Sequence, residues 1–134
     1  MSRVLIDTHV LIWSLLASRR LSPVALRRME ATDVVLVSAA SFYEIEFKRR
    51  VDRARSRKDD LASLPAALLD HVQGLGLAVL AISPEQAVMA ANLPIPHGDP
   101  WDRILLAQAR DLDVPLISAD AVLRRHAGDV PVIW

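Results

Sequence analysis

Five short aliphatic runs, separated by segments with helical patterns, constrain the fold of this chain most strongly. Each run is apolar at nearly every position, as a strand buried on both faces must be; the runs cover residues 4–6, 34–37, 77–82, 115–118 and 130–133. Strands that alternate with helices favour a parallel sheet, because the crossovers place helices on its faces. We therefore predict an α/β fold, a three-layer α/β/α sandwich with a mainly parallel sheet of about 4–5 strands.

Helix signals fill the intervals between these runs. Ser22-Pro23, Ser83-Pro84 and Asp99-Pro100 each join an N-capping side chain to a proline that suits the first helical turn. The caps and the apolar spacing predict helices over residues 10–17, from 23, over 39–51, 61–72, 84–92, 100–112 and 120–126. The chain is long enough for one buried core, so we expect residues 1–134 to form a single domain.

The composition argues against several classes of protein. The chain has no cysteine, which excludes disulfides, thiol catalysis and thiolate zinc sites. No apolar run approaches the roughly 20 residues that a membrane helix needs, and the first residues read as a strand rather than a secretory signal. We therefore expect a soluble cytoplasmic protein that has no membrane contact.

Acidic residues stand at equivalent places in the strand–helix pattern. Asp7 directly follows the first run and Asp120 the fourth, while Glu44 and Asp102 fall early in helices and Asp99 precedes the latter. Because the carboxyl ends of parallel strands meet at one edge, we expect these side chains to converge there. Carboxylates held together repel one another unless a cation neutralises them, and oxygen ligands select Mg²⁺ or Mn²⁺. The pattern thus predicts a divalent-metal site.

Each of these acids also has a purely structural interpretation. Asp7, Asp99 and Asp120 fit the N-cap positions of helices, and Glu44 fits a capping box with Ser41. A cap explains any one of them, whereas a coincidence of four caps at one sheet edge is much rarer. The two interpretations are compatible, because a helix N-terminus and a metal both stabilise an ionised carboxylate.

The histidines and the basic residues are less informative. None of the four histidines has the paired spacing of a metal motif, and His97, in the loop before Asp99, is the one that we place near the site. Sixteen basic and sixteen acidic side chains cancel, yet residues 48–58 hold seven basic groups and one acid. Such a stretch suits an anionic polymer held beside the acidic pocket, or is merely a solvated helix end.

Four segments together resemble PIN-domain ribonucleases, and in particular the VapC toxins of bacterial type II toxin–antitoxin pairs. They occur in the family's order and spacing, and they read LIDTHVLIW at 5–13, VSAASFYEI at 37–45, DPWDRILLAQA at 99–109 and LISAD at 116–120. Two positions depart from the family's pattern. Tyr43 stands where relatives often have Trp, and Gly98 where a basic residue is frequent.

The resemblance implies a PIN-like α/β/α sandwich and metal-dependent hydrolysis of RNA to products with 5′-phosphate and 3′-hydroxyl ends. Carried over by position, the catalytic acids are Asp7, Glu44, Asp102 and Asp120. The metal ligands for Mg²⁺ or Mn²⁺ are Asp7, Asp102, Asp99 and Asp120. Thr8 and Ser118 match supporting hydroxyl residues. Whether one ion or two would act stays open.

The resemblance also implies partners. They are an RNA substrate, a VapB-like antitoxin and a second copy in a homodimer, and the basic residues expected to contact RNA or antitoxin are Lys48, Arg49, Arg50 and Arg53. A catalytically inactive PIN-like module that works through a partner protein is the alternative function. A phosphoacceptor domain fits less well, because it needs a lysine at a strand end and the two lysines, Lys48 and Lys58, lie elsewhere.

Overall fold

Five parallel strands form the centre of the protein. The structure, a computed structural model, describes residues 1–54, 60–96 and 98–134. Within these residues the sheet has the order β3-β2-β1-β4-β5, and every adjacent pair is parallel. The strands are β1 (Arg3–Ile6), β2 (Val34–Ser38), β3 (Ala78–Leu80), β4 (Leu116–Ile117) and β5 (Val132–Ile133). The predicted parallel sheet is therefore confirmed.

Helices connect the strands and cover both faces of the sheet. They are α1 (Thr8–Leu15), α2 (Pro23–Ala31), α3 (Ala39–Ala54), α4 (Leu68–Gly74), α5 (Pro84–Asn92), α6 (Pro100–Leu112) and α7 (Ala121–His126), with a 3-10 turn at Asp60–Ser63. No helix in the described part of the chain is long and apolar enough to cross a bilayer.

The central strand β1 separates two hydrophobic cores. Val4 and Ile6 face one core together with residues of α1 and α3, while Leu5 faces the other together with residues of α5, α6 and α7. Leu5 pairs with Leu36 of β2 on one side and with Leu116 of β4 on the other. Burial of both faces of β1 between helices confirms the three-layer α/β/α sandwich.

The predicted helix over residues 61–72 is wrong. The structure has the 3-10 turn Asp60–Ser63 and then α4, which begins at Leu68. Pro65 lies between them, and a proline in a helix interior removes a hydrogen bond and clashes with the preceding turn. The apolar spacing was still informative, because the side chains at these positions are buried in the first core; they are Leu61, Leu64, Leu68 and Val72.

Candidate active site

All five predicted acids line one cavity at the carboxyl edge of the sheet. The cavity has a volume of about 370 Å³ and lies where β1 and β4 end. Its lining residues are Asp7, His9, Trp13, Glu44, Lys48, Asp99, Asp102, Ala119 and Asp120. In open parallel sheets, ligands bind in the crevice at such an edge.

Asp7 is the most deeply buried acid of the cavity, with 5% of its surface exposed. It caps α1, and its Oδ1 accepts a hydrogen bond of 2.8 Å from the Val10 N–H. Burial raises the pKa of Asp7 above its usual value, and the nearby Asp120 raises it further. Hydrogen bonds from the Ser118 hydroxyl and the Val10 N–H lower this pKa, as does the charge of His9, but burial is the largest effect.

Hydroxyl groups hold the segments that carry the acids. Ser118 directly follows β4; its hydroxyl bonds to the Asp7 carboxylate and its Oγ accepts a 3.1 Å hydrogen bond from the Asp120 N–H. The Thr8 hydroxyl is buried at 3.0 Å from the Ser41 hydroxyl, which joins the start of α1 to α3. Thr8 and Ser118, the two predicted supporting residues, thus connect elements that carry the acids. Ser41 is a third such hydroxyl residue, which the sequence did not indicate.

Glu44 and Lys48 form an ion pair inside the cavity. The Lys48 Nζ lies 3.4 Å from Glu44 Oε2, and 48% of the Lys48 side chain but only 9% of the Glu44 side chain is exposed. Glu44 lies in the interior of α3, because the Ser38 hydroxyl already accepts a 3.1 Å bond from the Ala40 N–H at the helix start. Its capping-box interpretation is therefore wrong, and a nearly buried carboxylate here needs a cation nearby.

Asp99 and Asp120 line the cavity and cap helices as well. Asp99 Oδ1 accepts hydrogen bonds from the N–H groups of Trp101 (2.8 Å) and Asp102 (3.3 Å) at the start of α6. Asp120 Oδ1 accepts from the first-turn N–H groups of α7 at 2.8 and 3.0 Å. Both caps are therefore confirmed and are compatible with a place at the cavity, while the role of the two residues as metal ligands stays a prediction.

The donor set of the cavity fits a hard divalent cation. Its oxygen donors are carboxylates, and the buried charge of Asp7 is costly without a positive partner. Within the described ranges, no three Asp, Glu or His side chains stand close enough together to hold an ion between them. Mg²⁺ requires fewer protein ligands than three, since it usually binds one or two carboxylates and keeps several waters. The residues therefore suit Mg²⁺ or Mn²⁺.

Comparisons with known proteins identify the family and match the fold. The model of the PIN domain family matches residues 4–129. The chain belongs to the PIN-domain family. It is 33% identical to Ribonuclease VapC22 of Mycobacterium tuberculosis over 136 residues, which cover 100% of both chains.

Solved structures share this PIN fold. A toxin–antitoxin complex from Klebsiella pneumoniae contains a chain that is 19% identical with a TM-score of 0.60, covering 98% of this chain and 96% of that one. VapBC2 from Rickettsia felis, bound to a DNA fragment from its promoter, gives 9% identity and a TM-score of 0.61, with 97% and 96% covered. At these identities the likeness shows the fold alone.

Two residues of the PIN-domain cavity were missed by the sequence analysis. His9 and Trp13 line it, and their rings lie 5.6 Å apart between centroids. The sequence places only His97 of the four histidines near the site, and His97 lies outside the described residues. The missed signal was the spacing of four between His9 and Trp13, which places both on one face of a helix that begins at the site.

The predicted basic contact residues differ in their surroundings. Lys48 lies in the cavity and Arg50 is exposed. Only 9% of the Arg49 side chain is exposed, because its guanidinium bonds to Glu46 at 3.2 Å and to the Pro65 carbonyl at 2.7 Å. Arg49 thus fastens the segment around Pro65 to α3, which leaves little of it for RNA or antitoxin. The Arg53 side chain lies outside what the structure describes, as do residues 55–59.

Proposed function

We propose that this PIN-domain protein is a metal-dependent endoribonuclease and the toxin of a toxin–antitoxin pair. The observation that carries the proposal is the cavity in which the buried Asp7 stands with four further acids. The full-length similarity to a protein named as a VapC ribonuclease supports RNA as the substrate class. A catalytically inactive module would have no need to keep five acids around one cavity.

The chemistry is hydrolysis of a phosphodiester bond. Water adds to phosphorus while the bond to the 3′ oxygen breaks, which leaves a 5′-phosphate and a 3′-hydroxyl. Bound Mg²⁺ or Mn²⁺ supplies positive charge against the anionic phosphate and makes water more acidic. Asp7, Asp99, Asp102 and Asp120 are the residues that we propose to hold the cation.

Two residues of α3 are proposed to serve the water and the phosphate. Glu44 is nearly buried at the cavity wall, so its carboxylate is suited to accept the proton that the attacking water loses. Lys48 is half exposed beside it and can pair with a phosphate oxygen of the RNA. On this proposal the ion pair between them opens when RNA binds.

We also propose a VapB-like antitoxin as the protein partner. The structural neighbours include complexes described as VapBC2 and as a toxin–antitoxin complex, which supports this partner for the same fold. An enzyme of this class would act on RNA in the cytoplasm. The homodimer stays a prediction, which the molar mass of the purified protein in solution would test.

Cleavage of RNA by the purified protein tests the nuclease function. We expect strand cutting with Mg²⁺ or Mn²⁺ that stops when a chelator is added, and 5′-phosphate ends in the products. Asp102→Asn should lose about 100-fold or more of the cleavage rate, because it removes a charge that we propose to hold the cation, and electrostatic stabilisation of this kind is typically worth that much. Asp113→Asn is the matched control, since Asp113 is exposed at the end of α6 and Asn tolerates its left-handed conformation.

The competing outcomes are distinct. Equal cleavage by Asp102→Asn and the parent would contradict the assignment of the site. RNA that stays intact at every metal concentration, together with tight binding of a partner protein, would instead favour the inactive binding module.

A further inference from the structure

Three aromatic side chains form one surface on α3 and α6, which we call the aromatic platform: Tyr43, Phe47 and Trp101. The Tyr43 and Phe47 rings are nearly parallel, with an interplanar angle of 9° and centroids 6.0 Å apart. The Tyr43 centroid lies 4.9 Å from that of Trp101. Tyr43 is 57% and Phe47 56% exposed, so most of this apolar surface faces solvent.

Each residue of the aromatic platform is the sequence neighbour of a residue that lines the cavity. Tyr43 directly precedes Glu44, Trp101 directly precedes Asp102, and Lys48 directly follows Phe47. Each of these three neighbours lines the cavity. A ligand that has its reacting group in the cavity can therefore reach the platform with its adjoining part.

We propose that the aromatic platform binds an unpaired nucleobase beside the phosphate that is cut. This inference rests on the proposed ribonuclease function. An exposed ring offers a face on which a base stacks, and every base has such a face. A base inside a duplex already stacks on its neighbours, so it has no free face for the platform.

The charges around the platform favour a nucleotide over an apolar protein surface. A dry protein contact on these rings would also have to bury the adjoining charges of Lys48 and Asp102, which is costly. A nucleotide places a flat apolar base on the rings and keeps its phosphate near Lys48, whose side chain is 48% exposed. The aromatic platform and the Lys48 ammonium thus match the base and the phosphate of one nucleotide.

Binding of two synthetic strands separates the base from the phosphate. The first is a single-stranded RNA of about 12 nucleotides, and the second is a ribose-phosphate strand of equal length without bases. Binding is measured by fluorescence anisotropy with Ca²⁺ in place of Mg²⁺, and a gel verifies that the strands stay intact. The variants are Tyr43→Leu, Tyr43→Phe as the conservative replacement, and Val88→Ala as a control at an exposed apolar residue of α5.

We expect the parent to bind the base-bearing strand about tenfold or more tightly than the base-free strand. Tyr43→Leu should lose most of this preference and bind the base-free strand as the parent does, whereas Tyr43→Phe and Val88→Ala should keep the preference. If the parent and Tyr43→Leu prefer the base-bearing strand to the same extent, the proposal that the platform binds a base is wrong. A parent dimer that Tyr43→Leu turns into a monomer would overturn it too, because the rings would then form a subunit contact.

The failure of the proposed function has a different signature. A parent that prefers base-bearing strands through Tyr43 and yet leaves RNA uncut in Mg²⁺ and Mn²⁺ contradicts the ribonuclease function while the platform stands. A parent that cuts duplex and single-stranded RNA equally, with the rate unchanged in Tyr43→Leu, contradicts the platform while the ribonuclease function stands.

Discussion

The hydroxyl groups of Thr8 and Ser41 lie 3.0 Å apart in the interior of the protein, where 4% and 0% of the two residues are exposed. Thr8 directly follows Asp7, and Ser41 lies three residues before Glu44 on α3, which is slightly less than one helical turn. This single contact therefore couples the position of the central acid to that of the helix that carries the proposed proton acceptor.

Thr8→Val and Ser41→Ala should each destabilise the protein by about 1–3 kcal/mol, because the remaining hydroxyl is left buried without its partner. The double variant should cost clearly less than the sum of the two, since both polar groups are then gone. Urea denaturation of the four proteins measures this coupling. Strictly additive costs would show that the two hydroxyls act independently.

Asp7→Asn should raise the melting temperature of the metal-free protein. The buried carboxylate is disfavoured where it stands, as its raised pKa indicates, and Asn removes the charge while it still caps α1. Mg²⁺ should raise the melting temperature of the parent, because a ligand that binds only the native state stabilises that state. Asp7→Asn should lose this increase, because it removes a proposed ligand of the ion. Differential scanning fluorimetry with and without Mg²⁺ checks both points, with Asp113→Asn as control. A lower melting temperature without metal would contradict the electrostatic argument.

Lys48→Met should strengthen Mg²⁺ binding and weaken RNA binding. The Lys48 ammonium stands 3.4 Å from Glu44 in the acidic cavity, so it competes with a cation for the same negative field. Its removal also takes away a contact to phosphate, which should lower the salt dependence of RNA binding by roughly one ion. Calorimetric metal titrations and binding at several salt concentrations measure the two effects. Arg27→Met, at an exposed residue of α2, serves as the control, and equal behaviour of the two variants would refute a specific role for Lys48.

Arg103→Met should destabilise the segment that leads into Asp99. Among the described residues, the Arg103 guanidinium donates to the backbone carbonyls of Ala90, Ala91, Leu93 and Ile95 at 2.7–3.2 Å. A hydrogen bond to a charged group typically contributes about 1.5–3 kcal/mol to stability. Arg103→Lys should recover little of the lost stability, because one ammonium cannot reach the carbonyls that the planar guanidinium binds. Hydrogen exchange of the amides in 90–96 measures the loosening. Arg27→Met, at an exposed residue of α2, is the control.

Asp33→Asn should lower stability at neutral pH but not in acid. Hydrogen bonds from the Ser2 N–H (2.7 Å) and hydroxyl (2.9 Å) hold the pKa of Asp33 below its usual value of 3.8. Because the folded-state pKa is the lower one, this stabilisation is present above pH 3.8 and is lost as the pH falls through the folded value. Melting temperatures across this range should show the two proteins converge at low pH.

Much of the fold followed from the sequence because strand burial and helix caps are local signals. The aliphatic runs located the strands, and the parallel topology alone places Asp7, after β1, beside Asp120, after β4. The convergence of five acids could thus be predicted from their places in the strand–helix pattern. Their roles as ligands stay a prediction.

What the sequence did not reveal depends on contacts that only the folded chain makes. Arg49 belongs to a basic run that looked solvated, yet it turns inward because the Pro65 carbonyl, 16 residues away, comes within 2.7 Å. Trp101 and Tyr43 meet only because α6 and α3 pack together. Neither relationship has a signature in local spacing.

The central place of β1 has a consequence for synthesis on the ribosome. The first strand to be made needs a neighbour on each side, and β4, its second neighbour, is encoded more than a hundred residues later. A nascent chain that stops short of β4 also lacks Asp120, so its sheet edge and its acidic pocket are both unfinished. We expect a chain truncated before β4 to lack the proposed nuclease activity, because neither the second neighbour of β1 nor Asp120 is present in it.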